Sequence, residues 1–225
     1  MSLNLILMPL VISLFAFPLF VRASSVVVSE VMFDPAGKDT GLEWIKIYNG
    51  SDNVINCSSW QLYPDGIGYY SFPNGFSLGG KSAVTIHLRA SGEDIPADLY
   101  FPAAMGNMGN TSGSVALFSA EPRGKDTIKH FVQWGKAGET WESDASSVAL
   151  WTRGDFVGLA DFVEGNAIGL KSAQSADSGK DAWKIVAVND DHEGQGGIVA
   201  LPPPPSDSFT PSPSPAGTVA IPAPS

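Results

Sequence analysis

Short apolar segments that alternate with turn-forming residues are the feature that most constrains the fold of this 225-residue chain. Each segment is rich in β-branched and aromatic residues, and clusters of Gly, Pro, Asn and Asp separate one segment from the next. Beyond the N-terminal segment, no run of about ten or more residues keeps apolar positions at helical spacing. The pattern therefore predicts an all-β chain with strands at residues 26–33, 43–49, 54–62, 69–72, 83–88, 114–118 and 127–134.

The length and spacing of these segments are typical of an antiparallel β-sandwich. Within residues 83–88, alternation directs Val84, Ile86 and Leu88 to one face and His87 to the other, as in a half-solvated sheet. Weaker strands are predicted at residues 148–151, 167–170 and 182–188. We expect these to complete the same sandwich, so that one folded domain spans residues 24–194.

Both ends of the chain differ in composition from its middle. Residues 1–23 hold an apolar run and end in Val21-Arg22-Ala23, a small-residue cleavage pattern that predicts a secretory signal peptide. A run of this length can also remain as an uncleaved N-terminal membrane anchor, and both interpretations stay open. Nine of the 17 prolines lie at residues 202–225, so residues 195–225 are predicted to be a Pro/Ser-rich disordered spacer.

Charge and cysteine content limit the classes of function. Without residues 1–23, which contain only Arg22 as a charged residue, 12 basic and 23 acidic residues remain, a net charge of −11. Such a chain is a poor ligand for nucleic acid, whose affinity comes largely from Lys and Arg, and we expect a membrane partner only if residues 1–23 are an anchor. The single cysteine, Cys57, excludes an intrachain disulfide and is predicted to be a buried, inert thiol.

Six motifs follow one another over residues 24–135. They are Glu30-Val31-Met32-Phe33-Asp34-Pro35, Glu43-Trp44-Ile45-Lys46-Ile47-Tyr48-Asn49, Trp60-Gln61-Leu62, Phe76-Ser77-Leu78-Gly79-Gly80, Gly113-Ser114-Val115-Ala116-Leu117-Phe118 and Phe131-Val132-Gln133-Trp134-Gly135. Their order resembles that of a lamin-tail domain, of the type found in secreted prokaryotic proteins. Asp181-Ala182-Trp183 resembles a trailing segment of prokaryotic members. The resemblance implies an immunoglobulin-like sandwich that binds or tethers rather than catalyses. Cys57 departs from the pattern, since the family usually has an aliphatic residue there, and no catalytic domain accompanies the module in this sequence.

Residues that resemble parts of enzyme motifs have simpler interpretations. Residues 75–82 match the P-loop pattern letter for letter, but a predicted strand follows where a phosphate-binding loop requires a helix. His87 is expected to be exposed and His130 to lie at a sheet edge or in the core, and neither has zinc-ligand spacing. No G-x-S-x-G elbow occurs. The sequence predicts a protein that is not an enzyme and needs no cofactor.

Three acidic residues form the main candidate metal site. Asp34, Asp39 and Glu43 lie on the Gly-containing loop between the first two strands, where hard oxygen ligands can surround Ca²⁺. Turn chemistry accounts for the aspartates equally well, and Glu43 can simply form a hydrogen bond at the strand edge. A second acidic run, Asp190-Asp191-His192-Glu193, is contiguous in sequence and is more typical of a solvated domain boundary.

Four aromatic residues, Tyr63, Tyr69, Trp141 and Trp151, are candidates for an exposed patch that faces a sugar or a protein, although core packing explains most of them equally well. We expect a non-catalytic module, secreted or at the cell surface, that binds a protein or polysaccharide of the cell envelope. One alternative is an accessory, calcium-binding component of a secreted hydrolase system. Another is a structural envelope protein that self-assembles through sheet edges.

Overall fold

The computed structural model describes residues 24–172 and 179–188, and the regular structure of these residues is β-strand apart from one short α-helix and one turn of 3-10 helix at Lys180–Ala182. The strands, in chain order, are β1 (Val26–Met32), β2 (Trp44–Asn49), β3 (Ile55–Asn56), β4 (Gln61–Pro64), β5 (Tyr70–Ser71), β6 (Ser77–Leu78), β7 (Ala83–Leu88), β8 (Asp98–Phe101), β9 (Gly113–Phe118), β10 (Ile128–Trp134), β11 (Asn166–Leu170) and β12 (Trp183–Ala187). Helix α1 (Glu142–Ser147) lies between β10 and β11.

Two sheets form the sandwich. The larger has the strand order β12-β11-β1-β2-β7-β8, the smaller has the order β10-β9-β4-β5, and β3 pairs with β6 in a separate ribbon. Neighbouring strands are antiparallel except β7 and β8, which run parallel with Thr85 opposite Asp98. The predicted all-β, immunoglobulin-like antiparallel sandwich is confirmed. Strands β11 and β12 extend the larger sheet beside β1.

Alternation along the strands decides which side chains fill the core. Ile45 and Ile47 on β2 are 0% and 1% exposed, as the sequence pattern predicts. On β7, Val84 and Ile86 are fully buried in the same way. Strand β9 is buried at every position, because the segment after β10 covers its outer face, where the Trp141 ring packs edge-on against Phe118.

Two strand predictions are wrong, and two short strands, β6 and β8, were not predicted. Residues 54–62 form two strands rather than one, because a turn at Ser59, with a φ of 68°, separates β3 from β4. Residues 148–151 are a turn after α1, in which the Leu150 N–H donates to the Ala145 carbonyl at 3.0 Å. Strand β8 was not predicted, because four residues, one of them Asp98, are too few for an alternating pattern to be recognised.

The strands define two ends of the sandwich. Phe33, which follows β1, stacks on Trp134 at the end of β10, with ring centroids 4.6 Å apart. Ser24, which precedes β1, lines the same surface groove as Ile128 at the start of β10. We call these the Phe33 end and the Ser24 end.

Several predictions fall outside the described residues. These are the signal peptide or anchor at residues 1–23, the acidic run at residues 190–193, the domain boundary at residue 194 and the spacer at residues 195–225. All of these stay predictions. Across the residues that the structure does describe, no helix has the length and apolar character needed to cross a membrane.

Candidate functional site

Asp34 and Asp39, two of the predicted calcium ligands, accept hydrogen bonds from side-chain amides at the Phe33 end. Asp34 Oδ1 accepts from Asn110 Nδ2 at 2.7 Å, and Asp39 Oδ2 accepts from Asn107 Nδ2 at 3.1 Å. Both amides belong to the loop between β8 and β9. Burial raises the pKa of Asp34, and the negative charges of Glu164 and Asp39 raise it further. These carboxylates therefore fasten one loop to another.

Glu43, the third predicted ligand, is a buried carboxyl group. Its side chain is 1% exposed, and Oε1 accepts a hydrogen bond from the backbone N–H of Met108 at 2.7 Å. Oε2 has no hydrogen-bond partner among the described residues. Burial raises the pKa of Glu43 to about 8, with a further contribution from the charge of Asp39, so the group is protonated at neutral pH.

The β8–β9 loop also binds Arg89, which directly follows β7: Arg89 Nη1 donates to the Gly106 carbonyl at 3.1 Å and to Asn107 Oδ1. We call Asp39, Glu43, Arg89, Asn107 and Met108 the loop network. Within residues 24–172 and 179–188, no group of three or more His, Cys, Asp or Glu side chains is placed to hold a metal ion. The calcium site stays a prediction, and the contacts present here join the β1–β2 loop to the β8–β9 loop.

A surface groove of about 460 Å³ lies at the Ser24 end. Its apolar lining consists of Ile55, Trp60, Ile128, Val148 and Leu150. Its polar lining consists of Ser24, Ser25, Lys125, Asp126 and Lys129. The groove has a volume in the range of small-ligand clefts, and it combines an apolar lining with a few charged groups.

Backbone hydrogen bonds hold Trp60 in position in this groove. The Trp60 N–H donates to the Cys57 carbonyl at 3.0 Å, and the Trp60 carbonyl accepts from the Phe72 N–H at 3.0 Å. The ring packs partly against the core and remains partly exposed. The turn through Ser59 thus presents one side of an indole to solvent on a fixed backbone.

Lys125 and Lys129 reach the groove from the β9–β10 connection. Thr127 and Ile128 N–H groups both donate to the Gly124 carbonyl, at 3.0 and 2.9 Å, which closes a tight turn with Lys125 near its tip. Lys129 lies at an irregularity where the β9–β10 register shifts between Ile128 and His130. A bulge of this kind changes the direction of a side chain relative to a regular strand.

The comparison with protein families is decisive at this point. The family model described as Lamin Tail Domain matches residues 22–174, more than half of the chain. The chain belongs to the lamin-tail domain family. A search of the curated proteins finds no match. The match extends past residue 135 and includes β11, whereas β12 with Trp183 lies beyond it. The broad functional class of this lamin-tail domain is that of the family, a non-catalytic, immunoglobulin-like binding module.

Three of the four candidate aromatic residues of this lamin-tail domain lie together. The Tyr63 ring centroid is 4.8 Å from that of Tyr69 and 6.5 Å from that of Trp141. The Arg123 guanidinium lies 3.8 Å from the centroid of the Tyr69 ring and covers it. Trp151 is not part of this patch and its predicted exposure is wrong: it is 3% exposed, and Nε1 donates to the Asp155 carbonyl at 2.9 Å.

Within the described residues, two histidines and the cysteine of the lamin-tail domain take part in packing. His87 is half-buried rather than exposed, because β8 brings Asp98 Oδ1 to 2.8 Å from its Nε2 and stacks Tyr100 on its ring. His130 is 6% exposed, and burial lowers its pKa to about 4, so the imidazole is neutral. Cys57 is 1% exposed with a pKa raised by burial to about 11, which confirms the predicted inert thiol.

Residues 75–82, which match the P-loop pattern, are followed by a strand, as predicted. Strand β7 begins at Ala83, directly after residues 75–82, so a strand occupies the place where the phosphate-binding motif requires a helix.

Sequence reasoning missed the groove at the Ser24 end. Its lining comes from four separated stretches, near residues 24, 55–60, 125–129 and 148–150. The available signal was weak: two lysines four residues apart in an acidic chain, beside a strand that begins at Ile128. Only the tertiary packing of these stretches brings the two lysines into the same groove as Trp60.

Proposed function

We propose that this lamin-tail domain is exported and acts as a tethering module at the cell envelope or outside the cell. The feature that supports export is the signal-like segment at residues 1–23, with its apolar run and the small-residue pattern at Val21-Arg22-Ala23. The family supplies the non-catalytic class.

The observation that carries the tethering proposal is the placement of the two connections to the sandwich. Residues 1–23 join it at Ser24, at the Ser24 end. Ala187, the last residue of β12, pairs with Asn166, and the neighbouring Gly165 N–H donates to the Asp34 carbonyl at 2.8 Å, so β12 finishes at the Phe33 end. The two connections are separated by the length of β1, which is roughly 23 Å for seven residues at about 3.3 Å each.

The residues before Ser24 and the residues after β12 are therefore joined to the sandwich at opposite ends. A module joined in this way carries its two attachments at separate places. An anchored or released form of the protein is compatible with this arrangement, depending on whether cleavage follows Ala23.

The first experiment measures export and retention together. The full chain is expressed in a secretion-competent host, and intact mass determines whether residues 1–23 are removed. The purified protein, in mild detergent if the segment is retained, is then incubated with envelope polysaccharide, envelope protein and DNA, with calcium and with chelator. We expect saturable retention by an envelope fraction and none by DNA.

Each other outcome contradicts a part of the proposal. A cytosolic protein with residues 1–23 intact contradicts export. Retention that chelator abolishes supports the calcium-dependent alternative through Asp34, Asp39 and Glu43. Concentration-dependent oligomers without retention support the structural alternative, in which sheet edges assemble.

A further inference from the structure

We propose that the groove at the Ser24 end binds an anionic polysaccharide, with a sugar ring on Trp60 and a uronate carboxylate at Lys125 and Lys129. This inference rests on the proposed function, since it names the class of envelope partner that the module binds. It concerns residues that the family resemblance does not mark as a site.

Trp60 has the properties of a sugar-stacking residue. Its ring is partly exposed in a groove whose other apolar residues include Ile55, Val148 and Leu150. The apolar faces of pyranose rings pack on flat aromatic rings, and an indole held on a rigid backbone loses little conformational entropy when it does so. The two backbone hydrogen bonds of Trp60, to Cys57 and from Phe72, supply that rigidity.

The two lysines supply the charge complement. In the described residues 24–172 and 179–188, neither Lys125 nor Lys129 forms a salt bridge, whereas Lys46 is paired with Glu30 at 2.6 Å. Two ammonium groups without a carboxylate partner are therefore available on a chain that is otherwise strongly acidic. A carboxylate-bearing ligand gains charge-assisted hydrogen bonds from them.

Asp126 gives the groove an acceptor for sugar hydroxyls, since it lies in the lining between the two lysines in sequence and is exposed. A stacked ring, two cations and one hydroxyl acceptor match the groups of a uronic acid residue. A neutral glucan leaves the lysines without a partner. A polyphosphate offers no ring to Trp60.

The second groove, of about 220 Å³, offers a smaller charge and no exposed indole. One of its two lysines, Lys180, is held by Asp155 Oδ1 at 2.9 Å, and its tryptophan, Trp183, is 4% exposed. The aromatic patch at Tyr69 is likewise covered, because the Arg123 guanidinium lies over its ring. The groove at the Ser24 end thus combines a ring and cations that are both accessible.

The test uses the full chain and polygalacturonate as a carboxylated probe, with dextran as the neutral probe and polyphosphate as the probe without sugar. We expect binding to polygalacturonate alone, weakening as salt rises, because exposed charge pairs are screened. The double variant Lys125→Glu/Lys129→Glu should bind at least about tenfold more weakly, which corresponds to roughly 1.4 kcal/mol. Trp60→Ala should weaken binding as well.

A matched control separates the groove from the overall charge. Lys38→Glu makes the same change of net charge as Lys125→Glu alone, on an exposed lysine at the Phe33 end, and should leave the affinity within about twofold, whereas Lys125→Glu should weaken binding. Thermal unfolding of each variant establishes that it is folded. An equal loss for Lys38→Glu and for Lys125→Glu overturns the assignment to the groove.

Failure of this inference is distinguishable from failure of the proposed function. If envelope fractions retain the wild-type chain but polygalacturonate does not bind, the tethering function stands and the uronate site is wrong. If an envelope protein is retained and the double lysine variant abolishes that retention, the groove is a protein-binding site and the inference is also wrong. If nothing is retained, both fail.

Discussion

The two ends of the sandwich use charged side chains in opposite ways. At the Phe33 end, Asp39, Glu43 and Arg89 are engaged with amides and carbonyls of neighbouring loops. At the Ser24 end, Lys125 and Lys129 line a groove beside a partly exposed tryptophan. The acidic residues that the sequence suggested as metal ligands, Asp39 and Glu43, therefore hold loops together. The two lysines that the sequence analysis passed over line the groove that we propose as the binding site.

The largest expected effect comes from the tryptophans that mark the two ends. Trp134 is 0% exposed, stacks on Phe33, and donates from Nε1 to the Gly109 carbonyl at 2.9 Å. Trp134→Ala should lower the free energy of unfolding by about 3–5 kcal/mol, whereas Trp60→Ala should lower it by only about 1–2 kcal/mol because its ring is partly exposed. Urea denaturation measures both. Equal losses would show that the Ser24 end is as structural as the Phe33 end.

Glu43 should make the Phe33 end sensitive to alkaline pH. Its pKa is about 8 in the folded chain and 4.5 in the unfolded chain, so between these values the unfolded state releases a proton that the folded state keeps. Its contribution to stability is complete below pH 4.5 and falls as pH rises to 8, by at most about 1.4 kcal/mol per pH unit.

The Glu43→Gln variant isolates this effect, because the amide oxygen can still accept from the Met108 N–H but does not titrate. The difference in unfolding free energy between wild type and variant, measured from pH 4.5 to pH 9, should change in that direction. A difference that is constant with pH would mean that Glu43 is ionised in the folded state and that the loop network holds a charge.

The contribution of His130 to stability should depend on pH with the opposite sign and over a narrower pH range. His130 lies beside Lys129 on β10, and its pKa falls from 6.5 in the unfolded chain to about 4 in the folded chain. Below pH 6.5 the unfolded state binds a proton that the folded state does not bind. The free energy of unfolding therefore falls as pH falls towards 4, again by at most about 1.4 kcal/mol per pH unit. His130→Phe should remove this fall in acid-unfolding curves, while Glu43→Gln leaves it intact.

The smallest expected changes in stability compare a polar side chain that is hydrogen-bonded at the Phe33 end with the two lysines of the groove. Asn107→Ala removes the amide that contacts Asp39 and Arg89, and it should cost about 1–2 kcal/mol of stability. Lys125→Ala and Lys129→Ala should each change stability by less than about 0.5 kcal/mol. Thermal unfolding of the three variants tests the ranking. A lysine variant that destabilises as much as Asn107→Ala would place that lysine in the fold rather than in a binding surface.

Several parts of the fold were predictable because their signals are local. Alternation on β2 and β7 identified Ile45, Ile47 and Val84 as core residues, since a strand that packs on one face must place every second side chain inward. Cys57 was predicted to be buried because a free cysteine behaves as a small apolar residue, and it is 1% exposed. Motif order identified the family, and the matched residues extend that assignment to residue 174.

Other parts depended on contacts between distant segments. His87 was expected at an exposed position, but β8 lies alongside β7 and supplies Asp98 as its partner. Trp151 was expected in a surface patch, but the turn after α1 directs it into the core against Phe131. No local pattern encodes these outcomes, because each depends on which segment pairs with which.

The sequence by itself determined the fold class, the family, the acidic charge and the inert cysteine, because periodicity, motif order and composition are properties of neighbouring residues. Tertiary structure alone decided how the polar groups are used. Burial by the β8–β9 loop makes Glu43 a protonated hydrogen-bond acceptor, and the meeting of β3, β10 and the segment after α1 brings Trp60 and two lysines into one groove. Desolvation and proximity are set by segments far apart in the chain, so they follow from packing and not from local sequence.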